Sequence, residues 1–129
     1  MMPDTAITTV VYIVDKEKAA RKSLTDLMHS AGLRPQPFSS VEEFLAKANP
    51  DSHGCILLDM AMLPTDLHLE TDLKRRGIDL PVIAVSTQDD AKTRKLAQEL
   101  GSQFFFRKPV DDQALLDTIQ WVLTTKRHD

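Results

Sequence analysis

The feature that most limits what this chain can fold into is an alternation along its length: a short apolar run, then a longer stretch with one apolar face. The first run, Thr8 to Val14 (TTVVYIV), is β-branched and nearly unbroken, which marks a strand covered on both faces. A helix over about Lys18 to Ala31 follows, with Ala20, Leu24, Leu27, Met28 and Ala31 on one side, and Gly32 is placed to end it. Arg34 to Phe38 reads as a short edge strand, because two prolines interrupt it. Ser40 and Glu43 have capping-box spacing and open a helix through Val41, Phe44, Leu45 and Ala48. Cys55 to Leu58 is the next buried strand and runs into Asp59. A helix over roughly Asp66 to Arg76 stops at Gly77. Pro81 to Ser86 is a fourth strand, and Asp89 to Leu100 a helix closed by Gly101. Gln103 to Phe106 is a fifth strand, and Asp111 to about Lys126 the last helix. Three of the four glycines thus stand where a helix should end, so two independent signals give one segmentation. Strands alternating with helices predict an α/β fold, (βα)5, whose parallel sheet is covered on both faces.

In such a sheet, ligands and reactive groups gather at the carboxyl ends of the strands. Asp15 ends the first strand, Asp59 the third and Ser86 the fourth, and Lys108 lies just past the fifth, before Pro109. Taken singly, each has a structural explanation: a cap, a loop residue, a turn. Their joint placement on one rim is the informative fact. A carboxylate can serve as the nucleophile toward a phosphoryl group, which then needs a cation to offset its charge and a hydroxyl to hold an oxygen. Asp59, Lys108 and Ser86 are those residue types.

Composition narrows the alternatives. The chain has 129 residues, 42% hydrophobic and 27% charged, which suits one domain with one core. A net charge of −3 gives no reason to expect direct nucleic-acid binding. No apolar run approaches a membrane span, and the N-terminus has no secretory pattern. The one cysteine, Cys55, lies in an apolar run and reads as a small buried side chain, which fits a cytoplasmic setting. The histidines His29, His53, His68 and His128 have no ligand spacing. No glycine-rich phosphate loop follows the first strand, which counts against a flavin or dinucleotide protein.

The ordered set of segments resembles the receiver domains of two-component response regulators, particularly the FixJ-like branch. The likeness runs from about Val10 to Leu123. It is carried by Val11-Tyr12-Ile13-Val14-Asp15, Ser39-Ser40-Val41-Glu42-Glu43-Phe44-Leu45, Cys55-Ile56-Leu57-Leu58-Asp59, Arg76-Gly77-Ile78-Asp79-Leu80-Pro81-Val82-Ile83 and Phe105-Phe106-Arg107-Lys108-Pro109. The resemblance implies a doubly wound, flavodoxin-like sheet with strand order 2-1-3-4-5, in a single domain (core about 8–126) without an output domain. It implies a phosphorelay switch rather than an enzyme, with at most self-catalysed phosphotransfer onto Asp59. Asp59 matches the phosphoacceptor, Ser86 the switch hydroxyl, Phe105 the aromatic that turns inward on activation, and Lys108 the partner of the phosphoaspartate, its bond to Pro109 typically cis. Mg²⁺ would be held by Asp15, Asp59 and the carbonyl of Ala61. The partners implied are a histidine kinase or phosphotransfer protein and a downstream target protein, with no membrane and no direct nucleic-acid contact. A homodimer through the helix 4–strand 5–helix 5 face, near Trp121, is a further implication.

The chain departs from the family pattern at three places. Lys16 stands where a second acid normally ligates the metal, in Asp15-Lys16-Glu17. Two unit charges ~4 Å apart interact by about 4 kcal/mol at an effective dielectric near 20. Exchanging −1 for +1 beside Mg²⁺ is then on the order of 16 kcal/mol before relaxation, an upper bound because a lysine ammonium can swing into water. A quarter of that still lowers affinity about a thousandfold. The expectation is a weak or absent Mg²⁺ site, with Lys16 either turned outward or standing in for the metal among the acids. After Asp59, the stretch around Leu63 and Pro64 is one residue short of the usual turn and lacks its glycine, which predicts a reshaped loop. Thr87 replaces the usual small residue after the switch hydroxyl and narrows access to the site. These departures set a second function beside the first: a pseudo-receiver, an interaction module independent of Mg²⁺ and phosphorylation.

Overall fold

A computed structural model of the protein describes residues 9–63 and 68–126. Five strands form one parallel sheet: β1 (Thr9–Val14), β2 (Arg34–Phe38), β3 (His53–Asp59), β4 (Val82–Ser86) and β5 (Ser102–Arg107). Between and after them come α1 (Lys18–Ser30), α2 (Val41–Lys47), α3 (Leu69–Arg75), α4 (Ala91–Glu99) and α5 (Asp112–Lys126). The strand order is β2-β1-β3-β4-β5, as the resemblance implied, and the prolines of β2 do lie at an edge.

Alternation along each strand divides the core in two. Val10, Tyr12 and Val14 of β1 pack with Ile56 and Leu58 of β3 on the side covered by α2, α3 and α4. Val11 and Ile13 pack with Cys55 and Leu57 on the other side, against Met28 of α1 and Leu115, Ile119 and Val122 of α5. Burial pushes the Cys55 thiol up to about 12, so it remains protonated and serves as packing.

Helix ends follow local chemistry. Ser40 accepts a hydrogen bond from the Glu43 amide at 3.0 Å, and Gly32, Gly77 and Gly101 all adopt positive φ. α4 begins at Ala91 rather than Asp89, because Asp90 is the cap and accepts from the Thr93 amide at 2.7 Å. α5 begins at Asp112 because Asp111 accepts from the Ala114 amide at 2.9 Å. The expected start of the third helix at Asp66 lies outside the described residues, as does Pro64; the helix is seen from Leu69.

Candidate phosphoacceptor site

β1, β3 and β4 all end on one rim, and their last polar residues are buried there: Asp15 is 1% exposed, Asp59 2% and Ser86 5%. The register explains the convergence. Val14 lies beside Leu58 and Asp59 beside Val85, so Asp15, Asp59 and Ser86 come from neighbouring strands at almost one level. Each carboxylate is oriented by a peptide two residues on. The Glu17 amide donates to Asp15 Oδ1 at 2.9 Å and the Ala61 amide to Asp59 Oδ1 at 3.0 Å. The Gln88 amide likewise donates to Ser86 Oγ at 2.9 Å.

Lys108 enters from the end of β5. Its amide donates to the Ser86 carbonyl at 2.8 Å, and its bond to Pro109 is cis. The ammonium then reaches three carboxylates: Asp15 Oδ2 at 2.9 Å, Glu17 Oε1 at 3.2 Å and Asp59 Oδ2 at 3.5 Å. Burial raises the pKa of Asp59, and the Asp15 charge raises it further; the Ala61 amide and the Lys108 ammonium only partly offset this. Burial alone would lower the pKa of Lys108, but the hydrogen bond to Asp15 and the charges of Asp59 and Asp15 outweigh it, so Lys108 is raised and stays an ammonium. The site is therefore an anionic pocket closed by one internal cation.

Of the two orientations expected for Lys16, the structure shows the outward one: it is exposed, makes no ion pair among the described residues, and does not stand in for a metal. The ammonium in the pocket is that of Lys108. Water screens an exposed charge far more than an effective dielectric of 20 assumes, so Lys16 disfavours a metal by much less than the unrelaxed figure. Glu17, the acid next to Lys16 and not among the expected metal ligands, does point into the site. Its carboxylate, on a side chain 61% exposed, bonds Lys108, and single oxygens of Asp15, Glu17 and Asp59 lie within 4.8 Å of one another. Three carboxylates beside the Ala61 peptide are hard oxygen donors of the kind Mg²⁺ takes. The residues present therefore fit the ion, with Glu17 as an acid where Lys16 is none.

Leu63 is half-buried against the core as it leaves a 3₁₀ turn over Met60–Met62. Thr87 is exposed and sits at the shared lip of two cavities. One, about 320 Å³, runs from Ala61 past Ser86 toward Leu96; the other, about 410 Å³, lies beside Lys108 and Leu24. Phe105 is half-buried on β5, next to Ala84. Trp121 is 55% exposed, its ring edge-on to Phe104 at 5.6 Å.

A five-stranded parallel α/β sheet with a buried aspartate, a rim lysine and a rim hydroxyl at its carboxyl edge has the architecture of a receiver-type signalling domain. The chain belongs to the response regulator receiver domain family, which matches residues 11–120. It is 36% identical over 120 residues to the transcriptional regulatory protein TdiR of Thauera aromatica, covering 92% of this chain and 53% of that protein. It is 35% identical to nodulation protein W of Bradyrhizobium diazoefficiens, over 92% of this chain and 52% of that one. The chain thus spans about half the length of these relatives. Full-length FixJ from B. japonicum superposes with a TM-score of 0.79 at 27% identity, over 92% of this chain and 59% of FixJ. A CheY-like receiver domain protein from Methanospirillum hungatei shares the fold with a TM-score of 0.80, over 94% of this chain and 98% of its own. Both the family and its FixJ-like branch are as the residues indicated. No helix among the described residues is long and apolar enough to cross a membrane.

Proposed function

We propose that this receiver accepts a phosphoryl group on Asp59 and works by altering a protein-binding surface, its donor a histidine kinase or phosphotransfer protein. The observation that carries this reading is the convergence on buried Asp59 of a cation, Lys108, and a neighbouring-strand hydroxyl, Ser86. Asp59 attacks phosphorus, the phosphorus–nitrogen bond of a phosphohistidine breaks, and the imidazole leaves with a proton. Holding one Asp59 oxygen on the Ala61 amide fixes the carboxylate for that attack, and burial among acids keeps its oxygens basic. Lys108 offsets the charge that arrives, and Ser86, whose Oγ accepts from the Gln88 amide, has its own O–H to donate to a phosphoryl oxygen. Asp15, Asp59, Glu17 and the Ala61 carbonyl would hold Mg²⁺, which when bound shields the phosphoryl oxygens. Beyond this self-phosphorylation the chain is not an enzyme.

A second reading, the pseudo-receiver, has its own observation: the Lys108 ammonium pairs with all three carboxylates and offsets their charge from within the chain. One experiment divides the two. Amide NMR spectra are recorded with Mg²⁺ and beryllofluoride for wild type, Lys16→Asp and Glu17→Gln. Shifts at Asp59, Ser86 and Phe105 in wild type, weakened by Glu17→Gln, support phosphosignalling. A silent wild type alongside a responsive Lys16→Asp supports the pseudo-receiver.

A further inference from the structure

Outside the acidic pocket, α4 and β5 are joined by a contact between a cation and an aromatic ring. Arg94 of α4 stacks its guanidinium over the Phe105 ring, 4.7 Å from the centroid. The same guanidinium is held by both carboxylate oxygens of Asp89, through Nε to Oδ1 and through Nη2 to Oδ2, the latter at 3.1 Å. A forked, two-point bond fixes the plane of the guanidinium, which a single contact would leave free to rotate.

Asp89 is not an arbitrary anchor. It lies in the loop from Ser86 to α4, one residue after Gln88, whose amide bonds Ser86 Oγ at 2.9 Å, and one before the helix cap Asp90. The start of α4 is firm, since Asp90 accepts from the Thr93 amide and its carbonyl from the Arg94 amide at 3.0 Å. One side of the ring packs against the core that α4 covers, and the other side is open. β5 is an edge strand, and Phe105 borders a cavity of about 210 Å³ that Arg94, Ala97 and Gln98 help to line. Core packing holds the inner side of the ring, and the Arg94 guanidinium is the charged contact on it.

We propose that Asp89 and Arg94 are positioning residues for the switch: Asp89 orients the Arg94 guanidinium, which holds Phe105 in its half-buried orientation until the loop after Ser86 moves. This rests on the reading of Ser86 and Phe105 as switch residues given above. When Ser86 Oγ moves to donate its O–H to a phosphoryl oxygen, the Gln88 amide bonded to that Oγ must follow or let go, so the loop that carries Asp89 shifts and the fork on Arg94 opens. The cation over the ring is then no longer fixed, and Phe105 turns. The Arg94 bond holds the Asp89 carboxyl below the usual carboxylate range, so the pair stays charged at neutral pH. Both side chains are partly exposed, at 55% and 30%, so the latch is light, opposing activation by about two- to fivefold.

The test uses the whole chain as wild type, Arg94→Met, Asp89→Asn and the double variant, with Mg²⁺ present throughout. Two quantities are read: the NOE contacts of the Phe105 ring without phosphoryl analogue, and the beryllofluoride affinity from amide shifts at Asp59 and Ser86. Expected are altered ring contacts in both single variants, a two- to fivefold gain in beryllofluoride affinity in each, and no further gain in the double variant. Unchanged ring contacts in Arg94→Met, or gains that simply multiply in the double variant, overturn the latch. Failure of wild type to bind beryllofluoride, with ring contacts still moved by Arg94→Met and Asp89→Asn, removes the phosphoacceptor reading and upholds the positioning role. Binding by wild type with ring and affinity unmoved in either variant does the reverse.

Discussion

Lys108 supplies the charge that lets three carboxylates lie together. Its Nζ is within 3.5 Å of Asp15, Glu17 and Asp59, and its side chain is only 14% exposed. Replacing it with methionine leaves buried acids without a partner, a loss of roughly 2–4 kcal/mol at neutral pH. Urea melts across pH check this: the deficit shrinks as pH falls through the raised Asp59 value and that carboxylate takes up its proton. Wild type, in turn, loses stability as pH rises above 10.5 through the raised Lys108 value, and Lys108→Met does not show that step. Asp59 behaves in the opposite sense to an ordinary paired acid. Its pKa is raised from 3.8, so ionising it costs the folded state stability as pH climbs from 3.8 through the raised value. Asp59→Asn keeps an acceptor for the Ala61 amide and removes the charge. It is expected to stabilise by about 1 kcal/mol at neutral pH, with the gain vanishing below pH 3.8 in melts at stepped pH.

Among the elements, the tightest constraint falls on β3 where it crosses β1. Gly54 pairs with Val10, and a Cβ at Gly54 would lie 1.7 Å from the Val10 carbonyl oxygen. Backbone cannot yield as a side chain does, so Gly54→Ala separates the two central strands and costs more than about 2 kcal/mol, read by thermal or urea melts. The sequence left this unexplained, because a helix-ending glycine is marked by its position after an apolar pattern, whereas a close approach of strands depends on a partner 44 residues away. The prolines of β2 were legible by contrast. Pro35 and Pro37 are two apart, so both missing N–H groups fall on one side of the strand, and only an edge strand has a side that bonds nothing. The rim residues Asp15, Asp59 and Ser86 were legible for the same reason as the strands, since each follows an apolar run. Glu17 was not. It is the cap of α1, with φ −86° and ψ 120°, and the direction of a side chain in a loop obeys no periodicity. The Arg94–Phe105 contact crosses two elements and left no local trace at all.

At the scale of the whole molecule, a cation that binds only the folded site adds to global stability by mass action. Under the proposed Mg²⁺ site, the midpoint of thermal unfolding rises with Mg²⁺, by the equivalent of about 2.7 kcal/mol at a hundredfold excess over Kd. Glu17→Gln needs more Mg²⁺ for the same gain, whereas Lys108→Met, with no ammonium to displace, responds at lower concentrations; calorimetry at stepped Mg²⁺ checks both. The fold that couples these effects was readable because every level agreed: β-branched runs, apolar helix faces, caps and glycines all gave one topology.

Trp121 gives the molecule a different kind of usefulness. It is the chain's one tryptophan, and it lies on α5, more than half exposed, with its ring edge against Phe104 at the sheet's outer strand. Its fluorescence therefore comes from a single place and samples water. Anything that covers this face shifts the emission to the blue and shields the indole from iodide, without a dye or a tag. Chemistry confined to the acidic pocket leaves the signal alone unless it reaches α5, so the protein carries its own optical gauge for telling local chemistry from contact with another molecule.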